Sequence, residues 1–212
     1  VKLDLRHLHL EAFGFTGQVC ISTQRIYVHE DIATEFTEAL VAETGSLVVG
    51  DPADPSTEVS ALINADSTER VAAWVDEAVA AGAVVECGGA VGGDGILSPT
   101  VLSGITPDMK VSCAEVFGPV VGIATYTDYE DALARANDTI YGLHAAVFTN
   151  DIAKALRAAE VLDFAGVLVN EVPTWRADHM PYGGIRDSGN TREGPAYAVQ
   201  EMTEERLIVI QP

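Results

Sequence analysis

The sequence contains few basic residues, and this scarcity excludes two classes of partner. Among its 212 residues, 12 lysines and arginines stand against 32 aspartates and glutamates, which gives a formal net charge of −20. Proteins bind nucleic acids and anionic membranes through clustered Lys and Arg, so we expect neither as a partner. Because the acidic residues are scattered along predicted helical faces, we interpret them as a solvated surface.

Cysteine is also scarce. Cys20, Cys87 and Cys113 form no C-x-x-C pair, and their odd number supports neither a disulfide framework nor a cysteine zinc site. We therefore expect a reducing, cytoplasmic compartment and no bound metal. No apolar run reaches about 18 residues and no signal peptide is predicted, so we expect no membrane-spanning segment.

Strand-like and helix-like segments alternate along the chain, which is typical of an α/β fold with a largely parallel sheet and flanking helices. The glycine-rich stretch 88–95 lacks a G-x-G-x-x-G spacing and is predicted to be a surface turn. Residues 171–190 read as one long loop, and loops of that length in compact domains are usually functional or disordered. We predict strands over 24–28, 84–87, 120–126, 144–148, 166–169 and 207–210, and helices over 32–47, 67–81, 129–137, 152–161 and 193–202.

The most informative position is Cys20, which ends the run G-F-T-G-Q-V-C. Small residues precede this thiol and an apolar residue follows it. A thiolate attacks carbonyl carbon without help from a metal, so Cys20 is a candidate nucleophile. No H-E-x-x-H, G-x-S-x-G or S-x-x-K motif offers a competing centre.

Three separated segments share a further pattern. They read G-Q-V-C over 17–20, E-V-F-G-P-V over 115–120, and P-Y-G-G-I-R-D-S-G over 181–189, with R-E-G following at 192–194. In this order and spacing they resemble the signatures of the aldehyde dehydrogenase superfamily. The resemblance runs from residue 5 to the C terminus and covers only the catalytic half of that family.

The resemblance implies oxidation of an aldehyde to a carboxylic acid with NAD or NADP. Cys20 is then the nucleophile that forms a thiohemiacetal and afterwards a thioester, and its backbone N–H is half of the oxyanion hole. Glu115 corresponds to the carboxylate that accepts hydrogen bonds from the nicotinamide ribose. Phe117 corresponds to the aromatic side chain beside the nicotinamide, and Asn170 to a residue that supports the catalytic loop.

Arg176 and His179 lie in the part of the long loop that, by the same resemblance, lines the aldehyde entrance. An arginine there can bind a carboxylate or phosphate on the substrate with both of its terminal nitrogens. The alternative for Arg176 is a salt bridge to one of the many acidic residues.

By the resemblance, the family's nucleotide-binding domain, general-base glutamate and second oxyanion donor are expected outside this chain. We therefore expect residues 1–205 to be the catalytic domain and the chain alone to bind NAD weakly and turn over negligibly. The apolar strand within 206–212 has no obvious neighbour and is expected to join an oligomerisation sheet, giving a homodimer or homotetramer of the full-length enzyme.

Other functions remain open at this stage. A stand-alone cysteine hydrolase or acyltransferase would also use Cys20, but it needs a histidine near the thiol. A non-catalytic remnant that serves only in assembly is another alternative, and a CoA-acylating aldehyde dehydrogenase is a third.

Overall fold

The computed structural model describes residues 12–212, in which strands and helices alternate as the sequence pattern predicts. The first residues of the predicted domain 1–205 lie outside the described part. The strands are β1 (Arg25–His29), β2 (Val84–Cys87), β3 (Thr100–Ser103), β4 (Val120–Tyr126), β5 (Tyr141–Gly142), β6 (His144–Val147), β7 (Gly166–Val169) and β8 (Ile185–Arg186). The helices are α1 (Glu30–Gly45), α2 (Ala65–Ala80), α3 (Lys110–Cys113), α4 (Tyr129–Asn137), α5 (Ile152–Val161) and α6 (Pro195–Met202).

The main sheet has four strands in the order β1-β4-β3-β2. Strand β4 is parallel to both of its neighbours, whereas β2 is antiparallel to β3. Side chains of β4 alternate between the two faces, as the pleat requires. Val120 and Ala124 join the core that contains Val71 of α2. Val121 and Ile123 join the opposite core, where Leu40 of α1 is buried. The sheet is therefore covered by helices on both faces.

A second layer carries the long loop. Strands β6 and β7 are parallel, and a smaller core around Leu133 and Ala158 packs α4 and α5 against them. Helices α2, α4 and α5 are preceded by the N-cap residues Asn64, Asp128 and Asp151, whose side chains accept hydrogen bonds from N–H groups of the first turn. Such caps satisfy donors that have no partner inside the helix.

The predicted α/β class is confirmed, and most predicted elements lie within a few residues of their observed bounds. One strand of the main sheet was missed. Strand β3 was not predicted, although it lies between β4 and β2 in the sheet, because it is only four residues long and follows Pro99. Residues 203–212 form neither helix nor strand in this single chain, and residues 207–210 are 70–88% exposed. A strand needs a hydrogen-bonded neighbour, and no described residue pairs with this segment, so its pairing with another subunit stays a prediction.

Among residues 12–212, no helix is both long and apolar enough to cross a membrane.

Candidate functional site

The loop before Cys20 is held by a buried hydroxyl. The Thr16 Oγ1 donates to the Ser60 carbonyl oxygen at 3.2 Å and accepts from the Ser60 N–H at 3.1 Å. Thr16 has a positive φ of 60° and is 4% exposed, so these two hydrogen bonds secure an uncommon backbone conformation. The Cys20 side chain follows this loop and is exposed.

A glycine contact brings the first two signature segments together. A Cβ on Gly17 would lie 2.1 Å from the carbonyl oxygen of Gly118, and the φ of Gly17 is +70°. Only glycine combines that close approach with that conformation at little cost. The G-Q-V-C segment therefore lies directly against the E-V-F-G-P-V segment, although nearly a hundred residues separate them in sequence.

The side-chain amide of Gln24 makes three hydrogen bonds to the second segment and to the residues just before it. Its Nε2 donates to the carbonyl oxygens of Val111 and Ala114 at 3.1 and 2.7 Å, and its Oε1 accepts from the Val116 N–H at 2.9 Å. Sequence reasoning missed Gln24, because nothing in its local pattern distinguishes it from a surface glutamine. Its contacts fix the backbone on both sides of Glu115.

Glu115 and Phe117 flank the buried Val116 and are themselves exposed. The Val116 carbonyl oxygen accepts a hydrogen bond from Arg70 at 2.7 Å. Phe117 has a φ of 50°, uncommon for a bulky residue, and its side chain is 42% exposed. Cys20, Glu115 and Phe117 line one cleft, whose other walls are Gly17, Val19, Ser22, Gln24, Gly118 and Val120.

The third signature segment places Tyr182 beside the thiol. Its hydroxyl oxygen lies 2.9 Å from the Cys20 Sγ, across 162 residues of sequence. The tyrosine is 6% exposed. Burial, followed by the hydrogen bond and charge of Cys20, raises the pKa of the Tyr182 phenol above its usual value. The motif was recognised from sequence, but this contact was not.

Arg186 and Ser188 anchor the same segment to the second layer. Arg186 donates to the Asn137 carbonyl oxygen at 3.1 Å and pairs with the Asp163 carboxylate at 3.4 Å. The Ser188 Oγ accepts from the Gly142 N–H at 2.9 Å. The basic and hydroxyl positions of the P-Y-G-G-I-R-D-S-G motif therefore hold the loop that carries Tyr182.

Both predicted positions of the entrance loop, Arg176 and His179, are exposed. The guanidinium carbon of Arg176 lies 4.3 Å from the centroid of the Tyr182 ring, and its Nη2 lies 3.9 Å from the Glu193 carboxylate. Within residues 12–212, no hydrogen bond or ion pair involves His179. The structure thus places Arg176 next to Tyr182 and leaves His179 facing solvent.

Asn170 joins the ends of β6 and β7. Its side-chain amide donates to the Thr149 carbonyl oxygen at 3.0 Å and accepts from the Thr149 N–H at 2.8 Å, with a φ of 56°. Asparagine is among the few residues that tolerate this left-handed conformation. Asn170 therefore fixes the point at which the long loop leaves the sheet.

The surroundings of the thiol contain neither a histidine partner nor a metal-binding cluster among residues 12–212. In the described residues, Cys20 hydrogen-bonds Tyr182 and no histidine. The nearby His144 instead shares a 2.6 Å hydrogen bond through Nδ1 with the Pro173 carbonyl oxygen. No cluster of three or more His, Cys, Asp or Glu side chains able to hold a metal occurs over residues 12–212.

Comparison with known proteins identifies the family to which these three segments belong. The model of the aldehyde dehydrogenase family matches residues 2–208. The chain belongs to the aldehyde dehydrogenase family.

Individual relatives agree with this assignment. A 3-sulfolactaldehyde dehydrogenase from Priestia aryabhattai is 48% identical over 200 residues, which are 94% of this chain and 42% of that protein. Aldehyde dehydrogenase 21 from Physcomitrella patens, solved with the reaction product succinate, superposes with a TM-score of 0.89 at 38% identity, covering 95% of this chain and 42% of that one. A glyceraldehyde-3-phosphate dehydrogenase from Methanocaldococcus jannaschii, solved with NADP, gives 0.88 at 39% identity, covering 94% and 44%. The chain thus spans about two fifths of the length of these relatives.

Proposed function

We propose that this chain is the catalytic domain of an NAD(P)-dependent aldehyde dehydrogenase that oxidises an aldehyde to a carboxylic acid. One observation carries the proposal. The thiol of Cys20 shares a cleft with the exposed carboxylate of Glu115 and the exposed ring of Phe117. A nucleophile, an acceptor for hydroxyl groups and a flat apolar surface in one cleft suit a carbonyl substrate beside a nucleotide.

The chemistry begins at sulfur. The Cys20 thiolate forms a bond to the aldehyde carbon, and the carbonyl electron pair moves to oxygen to give a thiohemiacetal oxyanion. Among the described residues no acceptor binds the Cys20 N–H, which leaves it available as a donor to that oxyanion. Removal of such a donor costs about 3 to 4 kcal/mol of transition-state stabilisation. A bound NAD(P)+ would supply the acceptor for the hydride that leaves this carbon. Cys20 would then hold the acyl group as a thioester until water releases the acid.

The cofactor side of the cleft fits the nicotinamide ribose. A carboxylate can accept hydrogen bonds from two neighbouring hydroxyl groups, and Glu115 is exposed with its backbone held by the Gln24 contacts around it. The exposed ring of Phe117 offers a face to an aromatic heterocycle. We assign these residues to NAD or NADP binding in the full-length enzyme.

Arg176 supports a substrate that carries an anionic group. The guanidinium lies over the Tyr182 ring, beside the thiol, and its contact with Glu193 is long at 3.9 Å and partly exposed. Exposed pairs of this kind contribute little, so an incoming anion can replace Glu193 as the partner. Since the Priestia relative is named for a sulfonated aldehyde, we propose an aldehyde with a carboxylate, sulfonate or phosphate group. His179, exposed three residues further on, is proposed as a second contact.

The remaining machinery and the assembly are also proposals. The general base, the nucleotide-binding domain and the second oxyanion donor would belong to a longer polypeptide in which residues 1–205 form the catalytic domain. The exposed apolar residues 207–210 present an unpaired backbone and would add to a sheet of another subunit, giving a dimer or tetramer.

The test is an aldehyde oxidation assay on the longer enzyme, with NAD+ and NADP+ and with lactaldehyde and 3-sulfolactaldehyde as substrates. Cys20→Ser is expected to abolish NAD(P)H production, because serine lacks a thiolate. Cys113→Ser, another exposed thiol, is the matched control and should retain activity. Full activity of Cys20→Ser would contradict the proposal. Aldehyde oxidation by the 212-residue chain alone, at an ordinary enzymatic rate, would contradict the expectation that this chain lacks essential parts of the active site.

A further inference from the structure

The contact between Cys20 and Tyr182 has a consequence for the reactivity of the thiol. We propose that Tyr182 is a positioning residue whose hydroxyl donates a hydrogen bond to the Cys20 thiolate, orienting the sulfur and stabilising its negative charge. The inference rests on the proposed function only in taking Cys20 as the nucleophile. Its basis is the 2.9 Å distance between the Cys20 Sγ and the Tyr182 Oη.

The tyrosine ring is held so that its hydroxyl has little freedom. The Arg176 guanidinium lies 4.3 Å from the ring centroid, and the His144 ring meets it edge to face at 5.4 Å and 82°. On the backbone, Tyr182 and Glu193 form an antiparallel bridge with hydrogen bonds in both directions. With only 6% of the residue exposed, the hydroxyl remains aimed at the thiol instead of turning to water.

The direction of the hydrogen bond follows from the protonation of the two groups. Burial and the adjacent Cys20 raise the pKa of Tyr182, and the Glu193 carboxylate adds to this, whereas Arg176 lowers it. The net shift is upward, so the phenol keeps its proton throughout the neutral range. A thiolate has no proton to donate. Once Cys20 is ionised, the bond can only run from the Tyr182 O–H to sulfur.

The charged surroundings explain why such a donor matters. Glu115 lines the cleft of Cys20, and Glu193 lies behind Tyr182, so two carboxylates oppose a negative charge on sulfur. Arg176 favours that charge, and His144 is engaged with the Pro173 carbonyl oxygen through Nδ1. A hydrogen bond from a fixed neutral phenol stabilises the thiolate directly, without adding a charge that would repel a cationic cofactor ring.

Stabilisation of the thiolate also has a cost. A more stable thiolate is a weaker nucleophile, with a Brønsted coefficient of about 0.4 to 0.5. The hydrogen bond therefore increases the alkylation rate only at pH values below the midpoint of thiol ionisation, where the gain in thiolate fraction exceeds the loss in intrinsic reactivity. The hydroxyl is therefore expected to raise reactivity near pH 7 and to leave it unchanged or lower it at high pH. A purely structural role of Tyr182 would not produce this crossover.

The experiment measures iodoacetamide alkylation of the 212-residue chain between pH 5 and 10. Trypsin cleaves after Arg25, Arg70 and Lys110, which places Cys20, Cys87 and Cys113 on separate peptides for mass spectrometry. Tyr182→Phe keeps the ring and removes only the hydroxyl. We expect Cys20 of this variant to react about tenfold more slowly at pH 7, with its rate profile displaced to higher pH and its high-pH plateau equal or higher.

Two controls accompany the variant. Tyr129→Phe removes a hydroxyl that donates to the Lys154 carbonyl oxygen at 2.8 Å, away from the thiol, and should leave the Cys20 profile unchanged. The half-buried Cys87 reports on folding within the same samples, because burial raises the pKa of its thiol and unfolding would make it react faster.

An unchanged Cys20 profile in folded Tyr182→Phe would overturn the proposal, and so would an equal slowing at every pH. If Cys87 reveals that the variant is unfolded, 3-fluorotyrosine at position 182 replaces it. This analogue keeps the ring and strengthens the donor, so the profile should move to lower pH, and a stationary profile would again overturn the proposal. Neither result depends on dehydrogenase activity, so failure of the proposed function is recognised separately by the aldehyde assay.

Discussion

The three hydrogen bonds of Gln24 yield the most quantitative prediction. Gln24→Met has a similar length and volume but loses two donors and one acceptor, leaving the carbonyl oxygens of Val111 and Ala114 and the N–H of Val116 without this partner. Each hydrogen bond contributes about 1 kcal/mol net, and an unsatisfied buried group costs about 1 to 3 kcal/mol. Because Val111 and Val116 are each 1% exposed, we expect a loss of about 3 kcal/mol.

The assay is urea unfolding of the 212-residue chain, followed by fluorescence and circular dichroism. Gln200→Met is the matched control, since Gln200 is exposed on α6, and its free energy of unfolding should change by less than about 0.5 kcal/mol. Gln24→Glu keeps the shape and the acceptor but replaces both donors with a carboxylate oxygen facing two carbonyl oxygens. It should therefore be no more stable than Gln24→Met.

A loss below about 1 kcal/mol in Gln24→Met would refute the reasoning, because it would mean that water or a small backbone shift replaces the amide at little cost. The longer enzyme gives a second readout. Since Gln24 fixes the backbone around Glu115, the KM for NAD(P)+ should rise in Gln24→Met. Alkylation of Cys20 at pH 7 should change much less, because Tyr182 lies on a different segment.

Three further predictions concern the thiol loop, the substrate and assembly. Gly17→Ala should destabilise the chain by about 2 kcal/mol or more in thermal unfolding, because Gly17 has a positive φ and an added Cβ would clash with the backbone of Gly118. Gly14→Ala is the control and should be far milder, since a Cβ there would meet nothing within 4 Å. Equal effects of the two substitutions would contradict this reasoning. Arg176→Gln should raise the KM about tenfold or more for anionic aldehydes and change it little for neutral ones. Arg157→Gln, at a remote surface pair, is the control and should leave both KM values unchanged. Equal changes in KM for anionic and neutral aldehydes in Arg176→Gln would exclude anion recognition. Deletion of 206–212 should reduce the mass of the longer enzyme in light scattering, and an unchanged mass would exclude that segment from the interface.

Strongly patterned elements were predictable from sequence. Strand β4, helix α4, helix α5 and strand β7 have the predicted bounds, because apolar periodicity and capping aspartates mark them locally. Strand β3 was not predictable from sequence, because the four residues between Pro99 and Gly104 carry almost no periodic signal. Its position is decided by pairing with β4 on one side and β2 on the other.

The residues of the candidate site also fall into those that a local motif predicts and those that only the tertiary structure reveals. The motif of Cys20 indicates a reactive thiol from sequence alone, and the family resemblance implies a cofactor surface at Glu115 and Phe117. Their roles remain predictions, but the structure does bring the three side chains to one cleft. Residues that act through a single distant contact had no comparable signal. Gln24 is recognised only by hydrogen bonds across about 90 residues, and the hydroxyl of Tyr182 only by its contact with the Cys20 thiol.

Cys20 shows which features of the site follow from the sequence and which follow only from the tertiary structure. Sequence alone determined that this chain carries a candidate nucleophile within the order of segments typical of an aldehyde dehydrogenase, because those motifs are local and their residue types are chemically specific. Only the tertiary structure decided which group faces the sulfur. Tyr182 is 162 residues away, and its hydroxyl reaches the thiol through the packing of Arg176, His144 and the Glu193 bridge. Such a contact is a property of packed elements, since no local preference of the chain encodes it.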